Sequence, residues 1–123
     1  MQKINDNHPL DLSYLISMVG HNPSFIIEIF DTFIEQTPIY LAELDHALAL
    51  KNWEDVGNCA HKLKPTFSYV GRDDVKELVM EIETNARNLV IDQIPVDIAR
   101  LNVIVQKIYI QLDSAKKDIQ FTF

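Results

Sequence analysis

Apolar residues recur every three or four positions along most of the chain, a spacing that predicts α-helices. The first apolar stripe spans residues 10–19 and stops at Gly20, a residue that ends helices by adopting positive φ. In the second stripe, Asn22 is a candidate N-cap, Pro23 takes the first helical position, and apolar residues continue to Gln36. The start of the chain is therefore predicted to form a short helix and a longer one.

Thr37 and Pro38 repeat this cap-then-proline signature. The next apolar stripe, which ends at Leu50, is therefore either a third helix or a bent continuation of the second. Asn52 is a candidate cap for the following helix, whose apolar residues run up to Gly71. Because the connections are short, we expect consecutive helices to pack antiparallel to one another.

Acidic side chains favour the positive end of a helix, so Asp73 or Asp74 is predicted to begin the next helix, which runs to Leu89. A loop over residues 90–94 follows, and Pro95 opens a last long helix. No segment alternates apolar and polar residues as a half-buried strand does. The predicted fold class is all-α: an antiparallel four-helix-bundle kernel with an additional N-terminal helix or helices, about six helices in all.

The length of 123 residues suits a single domain over residues 1–123, with a flexible start over 1–9 and a frayed end over 118–123. The 18 acidic and 11 basic residues give a formal charge of −7, which disfavours nucleic acid as a partner. One cysteine excludes an internal disulfide, and no Cys/His cluster has zinc spacing. The sequence has neither a signal-peptide stretch nor the roughly 20 apolar residues of a membrane span. We expect a cytoplasmic monomer without membrane contact.

Residues 60–71 hold the strongest candidates for chemistry. His61 is rotated by about 100° from the centre of the buried stripe, at the edge of the buried face, where it can meet solvent. Lys64 and Ser68 project from the same side of the helix, with Lys62 one position round. A neutral imidazole is a nucleophile and a lysine supplies positive charge for phosphoryl oxygens. This face therefore suits an incoming phosphoryl group.

An imidazole that attacks with one nitrogen needs an acceptor for the proton on the other. If the chain turns back near Gly71, residues about ten positions beyond the turn lie level with His61. Glu81 and Glu83 are the carboxylates at that level. The spacing leaves both open as the acceptor.

Residues 60–64, with the sequence AHKLK, and the hydroxyl-containing helical stretch after them resemble a known motif. It is the phosphorylation-site motif A-H-x-L-K-G-S of histidine-containing phosphotransfer (HPt) domains, and the resemblance covers most of the chain. It implies that His61 accepts a phosphoryl group, Lys64 stabilises the phosphoryl oxygens and Glu83 hydrogen-bonds the histidine. Pro65 stands where the family most often has glycine, so it is expected either to present His61 more fully or to weaken docking.

The same resemblance implies a phosphoryl carrier without its own ATP site, and so not an enzyme, in a two-component phosphorelay. Its partners would be receiver domains of hybrid sensor kinases and/or response regulators, with Mg²⁺ on the receiver and no cofactor on this chain. The Met1 start favours a free-standing protein over a segment of a hybrid kinase. The residues expected to contact the partner are Lys62, Pro65, Ser68 and Arg72, and a basic patch is expected from Lys62, Lys64, Arg72 and Arg87.

Two other functions compete with this one. A bundle that keeps the HPt shape as a binding or scaffold module without transferring phosphate is favoured by Pro65. A metal-dependent bundle enzyme is suggested by Glu43 and His46, which match half of a carboxylate-bundle signature, but the sequence holds no second copy. Cys59 is expected to be a small, partly buried residue rather than a nucleophile.

Overall fold

The computed structural model describes the backbone of residues 10–122, and the start expected to be flexible, residues 1–9, lies outside this part. The described part contains five helices and no strand, which confirms the all-α prediction. The helices are α1 (Ser13–Val19), α2 (Pro23–Ala49), α3 (Trp53–Tyr69), α4 (Asp73–Arg87) and α5 (Ile94–Thr122). α5 thus continues through most of the end that the sequence predicted to fray, residues 118–123. Across the described chain, no helix is both long and apolar enough to cross a membrane.

The four longer helices form an antiparallel bundle in which each packs against two neighbours, in the order α2, α3, α4, α5 and back to α2. The short α1 lies against α2 and α3. An ion pair between Lys116 and Asp31 and a hydrogen bond of 3.1 Å from Asn102 to Asp45 fix α5 to α2. This architecture is the predicted four-helix kernel with one additional N-terminal helix, and it places α3 and α5 at opposite corners.

The separate third helix that the sequence allowed is not formed, and the alternative, a continuation of the second helix, is confirmed. Thr37 is fully buried instead of capping a new helix, and Pro38 lies inside α2. Pro38 has no N–H to offer the carbonyl of Ile34, which costs stability. Phe33 and Leu41, one on each side of the proline, are both buried in the core. Continuous burial across Pro38 therefore offsets the lost hydrogen bond.

Asparagine side chains begin two of the helices, as predicted. Oδ1 of Asn22 accepts hydrogen bonds from the backbone N–H groups of Ser24 and Phe25 at 3.0 and 3.3 Å. Oδ1 of Asn52 accepts one from the backbone N–H of Asp55 at 3.1 Å. These bonds satisfy N–H groups that have no partner inside the first turn of α2 and α3.

α3 and α4 are the most closely packed pair of helices, and the turn between them sets their register. The backbone N–H of Arg72 donates to the carbonyl of Phe67 at 2.9 Å, and Gly71 adopts a φ of 70°. A Cβ on Gly71 would lie 1.8 Å from the carbonyl oxygen of Asp11, so the segment ahead of α1 passes directly over this turn. The turn brings the middle of α3 level with the middle of α4.

Candidate functional site

His61 lies near the middle of α3 and exposes 64% of its side chain. Its neighbours Ala60 and Leu63 are fully buried in the core of the bundle. This is the position at the edge of the buried face that the helical spacing predicts. The core therefore fixes the helix that carries the imidazole, while the ring itself remains accessible.

A hydrogen bond across the α3–α4 hairpin orients the ring. Nδ1 of His61 lies 2.9 Å from Oε2 of Glu83. An ionised carboxylate can only accept, so Nδ1 carries the proton and donates it. The neutral ring then keeps its lone pair on Nε2, the nitrogen turned away from Glu83. Of the two carboxylates that the sequence left open, the acceptor is Glu83, and Glu81 makes no hydrogen bond to His61.

Glu83 accepts from two cationic side chains as well. Nζ of Lys64 lies 2.8 Å from Oε1, and Nη2 and Nε of Arg87 lie 3.1 and 3.2 Å from Oε2. The Glu83 side chain is only 12% exposed. Burial raises the pKa of Glu83, but hydrogen bonds from Lys64, Arg87 and His61 outweigh it and place the pKa below its ordinary 4.5. The carboxylate therefore stays ionised and remains an acceptor for the histidine.

The other α3 residues that the sequence predicted for the site are Lys62, Lys64 and Ser68, and each has different surroundings. Lys64 is directed to Glu83, and its side chain is largely buried. Lys62 forms an ion pair of 2.9 Å with Glu43 of α2, and its Nζ lies 4.9 Å from the centroid of the Tyr40 ring. Ser68 is partly buried two turns beyond His61. The structure thus brings Lys64 and Glu83 together around the histidine, while Lys62 is bound to α2.

The prediction that Arg72 belongs to an exposed basic patch is wrong. Arg72 is fully buried, and its Nε and Nη2 each donate to an oxygen of Asp74 at 3.0 Å. A charge in the core needs such a bidentate partner, because an unpaired one loses its hydration without compensation. Arg72 holds the start of α4 and offers no surface to another protein.

A groove of about 380 Å³ lies beside His61 and is bounded by both helices of the hairpin. Its lining side chains are His61, Lys64 and Pro65 from α3 and Lys76 and Met80 from α4. The sequence did not single out the two α4 residues. Their positions in the sequence could have identified them. Lys76 and Met80 lie seven and three residues before Glu83, so all three residues share one face of α4.

Pro65 is exposed and does not interrupt α3, which continues to Tyr69. Because proline has no N–H, the carbonyl oxygen of His61 has no backbone donor four residues further along. The buried stripe continues past the proline at Phe67, which is fully buried against α2 in an edge-on contact with Phe33. Core packing thus holds α3 together on both sides of Pro65.

A second concavity, of about 410 Å³, lies between α1, α2 and α3. Its wall includes Tyr40, the ring beneath Lys62, and Thr66, the residue after Pro65. Much of the remaining wall is apolar, with Met18 and Tyr69 at the α1 and α3 sides. The concavity is therefore continuous with the surface around the histidine.

Metal and thiol chemistry have no support in the described part of the chain. No group of three or more His, Cys, Asp or Glu side chains there could hold a metal ion. Burial, with a contribution from Glu43, raises the pKa of the Cys59 thiol above its ordinary value. A protonated, partly buried thiol is a poor nucleophile.

The fold and the site together define a small four-helix bundle that carries an exposed imidazole oriented by a nearly buried carboxylate. The family model described as the Hpt domain matches residues 28–115. This span contains all of α3 and α4 and most of α2 and α5, so the chain belongs to the Hpt domain family. Comparisons with curated proteins and with solved structures gave no match.

Proposed function

We propose that this protein is a phosphorelay carrier that accepts a phosphoryl group on Nε2 of His61 and passes it to a response regulator. The donor is the phospho-aspartate of a receiver domain, or a kinase. The observation that carries the proposal is the hydrogen bond from Nδ1 to Glu83 on an imidazole that is mostly exposed. Hpt domains as a family act in histidine phosphotransfer and interact with receiver domains.

The transfer step follows from the tautomer. The lone pair on Nε2 of His61 attacks the phosphorus of the donor's aspartyl phosphate, and the N–P bond forms as the P–O bond to the aspartate breaks. The electron pair of that bond leaves with the donor carboxylate. The ring keeps its proton on Nδ1 and becomes cationic, and Glu83, 2.9 Å away, stabilises that positive charge. Transfer to the next receiver is the reverse of this step.

Lys64 is the cation nearest to His61 along the same helical face. It lines the groove beside His61 while its Nζ is paired with Glu83. We expect the phosphoryl oxygens to lie at the mouth of this groove, where Lys64 reduces their negative charge. Lys64 thus acts both on the phosphoryl group and on the carboxylate that orients the ring.

The partner supplies the rest of the chemistry. We expect a receiver domain to bring Mg²⁺, and this chain to need no cofactor and no ATP site of its own, as befits a carrier rather than an enzyme. We propose that the receiver contacts Lys62, Pro65 and Ser68 and covers the concavity between α1, α2 and α3. We also propose that the protein is a cytoplasmic monomer, with this surface available to the receiver.

The decisive experiment follows an acid-labile phosphoryl label from a panel of phosphorylated receiver domains to the intact protein. Wild type and a His46→Ala variant, which removes another exposed helical histidine, are expected to acquire the label. A His61→Ala variant is expected to acquire none. Labelling of the His61→Ala variant, or no labelling of folded wild type by any receiver, would contradict the proposal.

The scaffold function that Pro65 favoured predicts a different pattern in the same experiment. A scaffold would bind a receiver and remain unlabelled, and its binding would not depend on the imidazole of His61. Measuring receiver binding alongside the label separates the two functions. Binding without label would replace the relay by the scaffold.

A further inference from the structure

The positive charges expected to attract a partner are largely neutralised within the molecule. Lys62 is paired with Glu43, while Lys64 and Arg87 share Glu83. Arg72, the remaining member of that predicted patch, is buried with Asp74. Lys64 and Arg87 share a single carboxylate, so these four cations together keep one net positive charge. A further cation that adds to the attraction of an anionic partner has to lie near the histidine without an ion pair of this kind.

Lys76 meets that requirement. It lines the groove beside His61 from the α4 side, opposite Pro65, and is partly exposed. It forms no ion pair with any residue whose side chain the structure describes. With respect to the described side chains, its ammonium group is therefore available to an external anion at the rim of the site.

The position of Lys76 on its helix is unfavourable for a cation. It is the fourth residue of α4, and its backbone N–H bonds to the carbonyl of Arg72 at the helix start. The N-terminal end of a helix carries partial positive charge, which disfavours a lysine there. The helix end itself therefore does not stabilise the charge of Lys76.

We propose that Lys76 is a docking residue that contacts the acidic surface of the protein that exchanges phosphate with His61. The proposal rests on the phosphorelay function. Lys76 lines the same groove as His61, but seven residues, about 10 Å of helix, separate it from Glu83, the residue that orients the ring. It therefore strengthens the encounter complex and leaves the transfer step within the complex unchanged.

The test is single-turnover phosphotransfer, using the phosphorylated receiver domain that labels wild type most rapidly, over a range of receiver concentrations. Lys76→Ala is expected to raise the half-saturating concentration roughly three- to tenfold and Lys76→Glu further, with the maximal rate unchanged. Lys76→Arg is expected to restore wild-type behaviour. The salt dependence of the second-order rate should weaken in Lys76→Ala, because fewer charges then steer the encounter.

Arg100→Ala is the matched control. Arg100 is also partly exposed and forms no ion pair with a described residue, but it lies on α5, which does not contact α3. Equal rates and half-saturating concentrations for Lys76→Ala and Arg100→Ala would overturn the docking role. So would a lower maximal rate with an unchanged half-saturating concentration, because Lys76 would then act on the phosphoryl group itself. Failure of wild type to become labelled would refute the phosphorelay function, and the docking role with it, before any variant is compared.

Discussion

Nδ1 of His61 and Oε2 of Glu83 are 2.9 Å apart across the α3–α4 hairpin, and this hydrogen bond determines which ring nitrogen keeps its lone pair. The carboxylate fixes the proton on Nδ1 and leaves the lone pair on Nε2. Lys64 and Arg87 hold the carboxylate in place. The orientation and tautomer of one exposed ring therefore depend on a nearly buried group on another helix.

Replacing Glu83 by alanine should slow phosphotransfer to His61. The variant loses the acceptor for the Nδ1 proton and the negative charge that stabilises the phosphorylated ring. A hydrogen bond to a charged group contributes about 1.5–3 kcal/mol, so we expect the maximal rate to fall roughly ten- to a hundredfold. Single-turnover transfer at saturating receiver measures this rate.

Glu81→Ala is the control for that prediction, because Glu81 lies two positions away on the same helix and makes no hydrogen bond to His61. It should transfer at the wild-type rate. A Glu83→Ala variant as fast as Glu81→Ala would show that the hydrogen bond has no part in the reaction.

The low pKa of Glu83 predicts how stability depends on pH. Its pKa in the folded protein lies below the ordinary 4.5, so its ionised form stabilises the fold above that value, and this stabilisation is lost as pH falls through the folded pKa. Glu83→Gln has no such group. The free energy of unfolding of wild type should therefore exceed that of Glu83→Gln at neutral pH, and the difference should shrink below pH 4.5.

Urea unfolding of both proteins between neutral pH and acid measures this difference. Other carboxylates titrate in both proteins, so they cancel in the comparison. A difference that stays constant on acidification, or that grows, is incompatible with a lowered pKa of Glu83.

Gly71→Ala should destabilise the protein more than Gly20→Ala. Both glycines have positive φ, of 70° and 73°. A Cβ at Gly20 meets nothing within 4 Å, whereas one at Gly71 collides with the backbone of Asp11. We expect Gly20→Ala to cost about 1–3 kcal/mol in backbone strain alone, and Gly71→Ala about 1–3 kcal/mol more. Chemical denaturation gives both values, and equal losses would mean that the Asp11 segment yields without cost.

Arg72→Met should destabilise the fold by about 3–5 kcal/mol, because it removes the bidentate cation that pairs with the buried carboxylate of Asp74. Adding Asp74→Asn removes that charge, so the double variant should be more stable than Arg72→Met alone. Chemical denaturation of the single and double variants measures this coupling. If the effects of the two substitutions on the free energy of unfolding simply add in the double variant, the ion pair does not stabilise the fold. Slower receiver binding by folded Arg72→Met would restore Arg72 as a docking residue.

Helix starts were predictable where the signal is local. Asn52 caps α3 through the N–H of Asp55, three residues away, so the sequence contains all the participants. Whether the helix ends or continues at Pro38 is not determined by the local sequence. The apparent cap, Thr37, is buried by the packing of α2 in the bundle, and only the packed bundle determines that the helix continues.

The functional site was likewise predictable only where the signal is local. The spacing around Gly71 limited the acceptor for His61 to Glu81 or Glu83, and packing selected between them. Arg72 was misassigned because a basic residue in a turn is usually exposed, and nothing in its type reveals that Asp74 draws it into the core. Lys76 was missed because its local sequence is that of an ordinary helical lysine, and its significance arises from the ion pairs of the other cations.

Among the described residues, the side chains that hydrogen-bond to Glu83 all come from α3 or α4, so the imidazole and the groups that orient it belong to one continuous hairpin. Substitutions on the outward faces of α2 and α5 can accumulate without altering those contacts. The orientation of the imidazole is therefore insulated from sequence divergence on the other two long helices of the bundle.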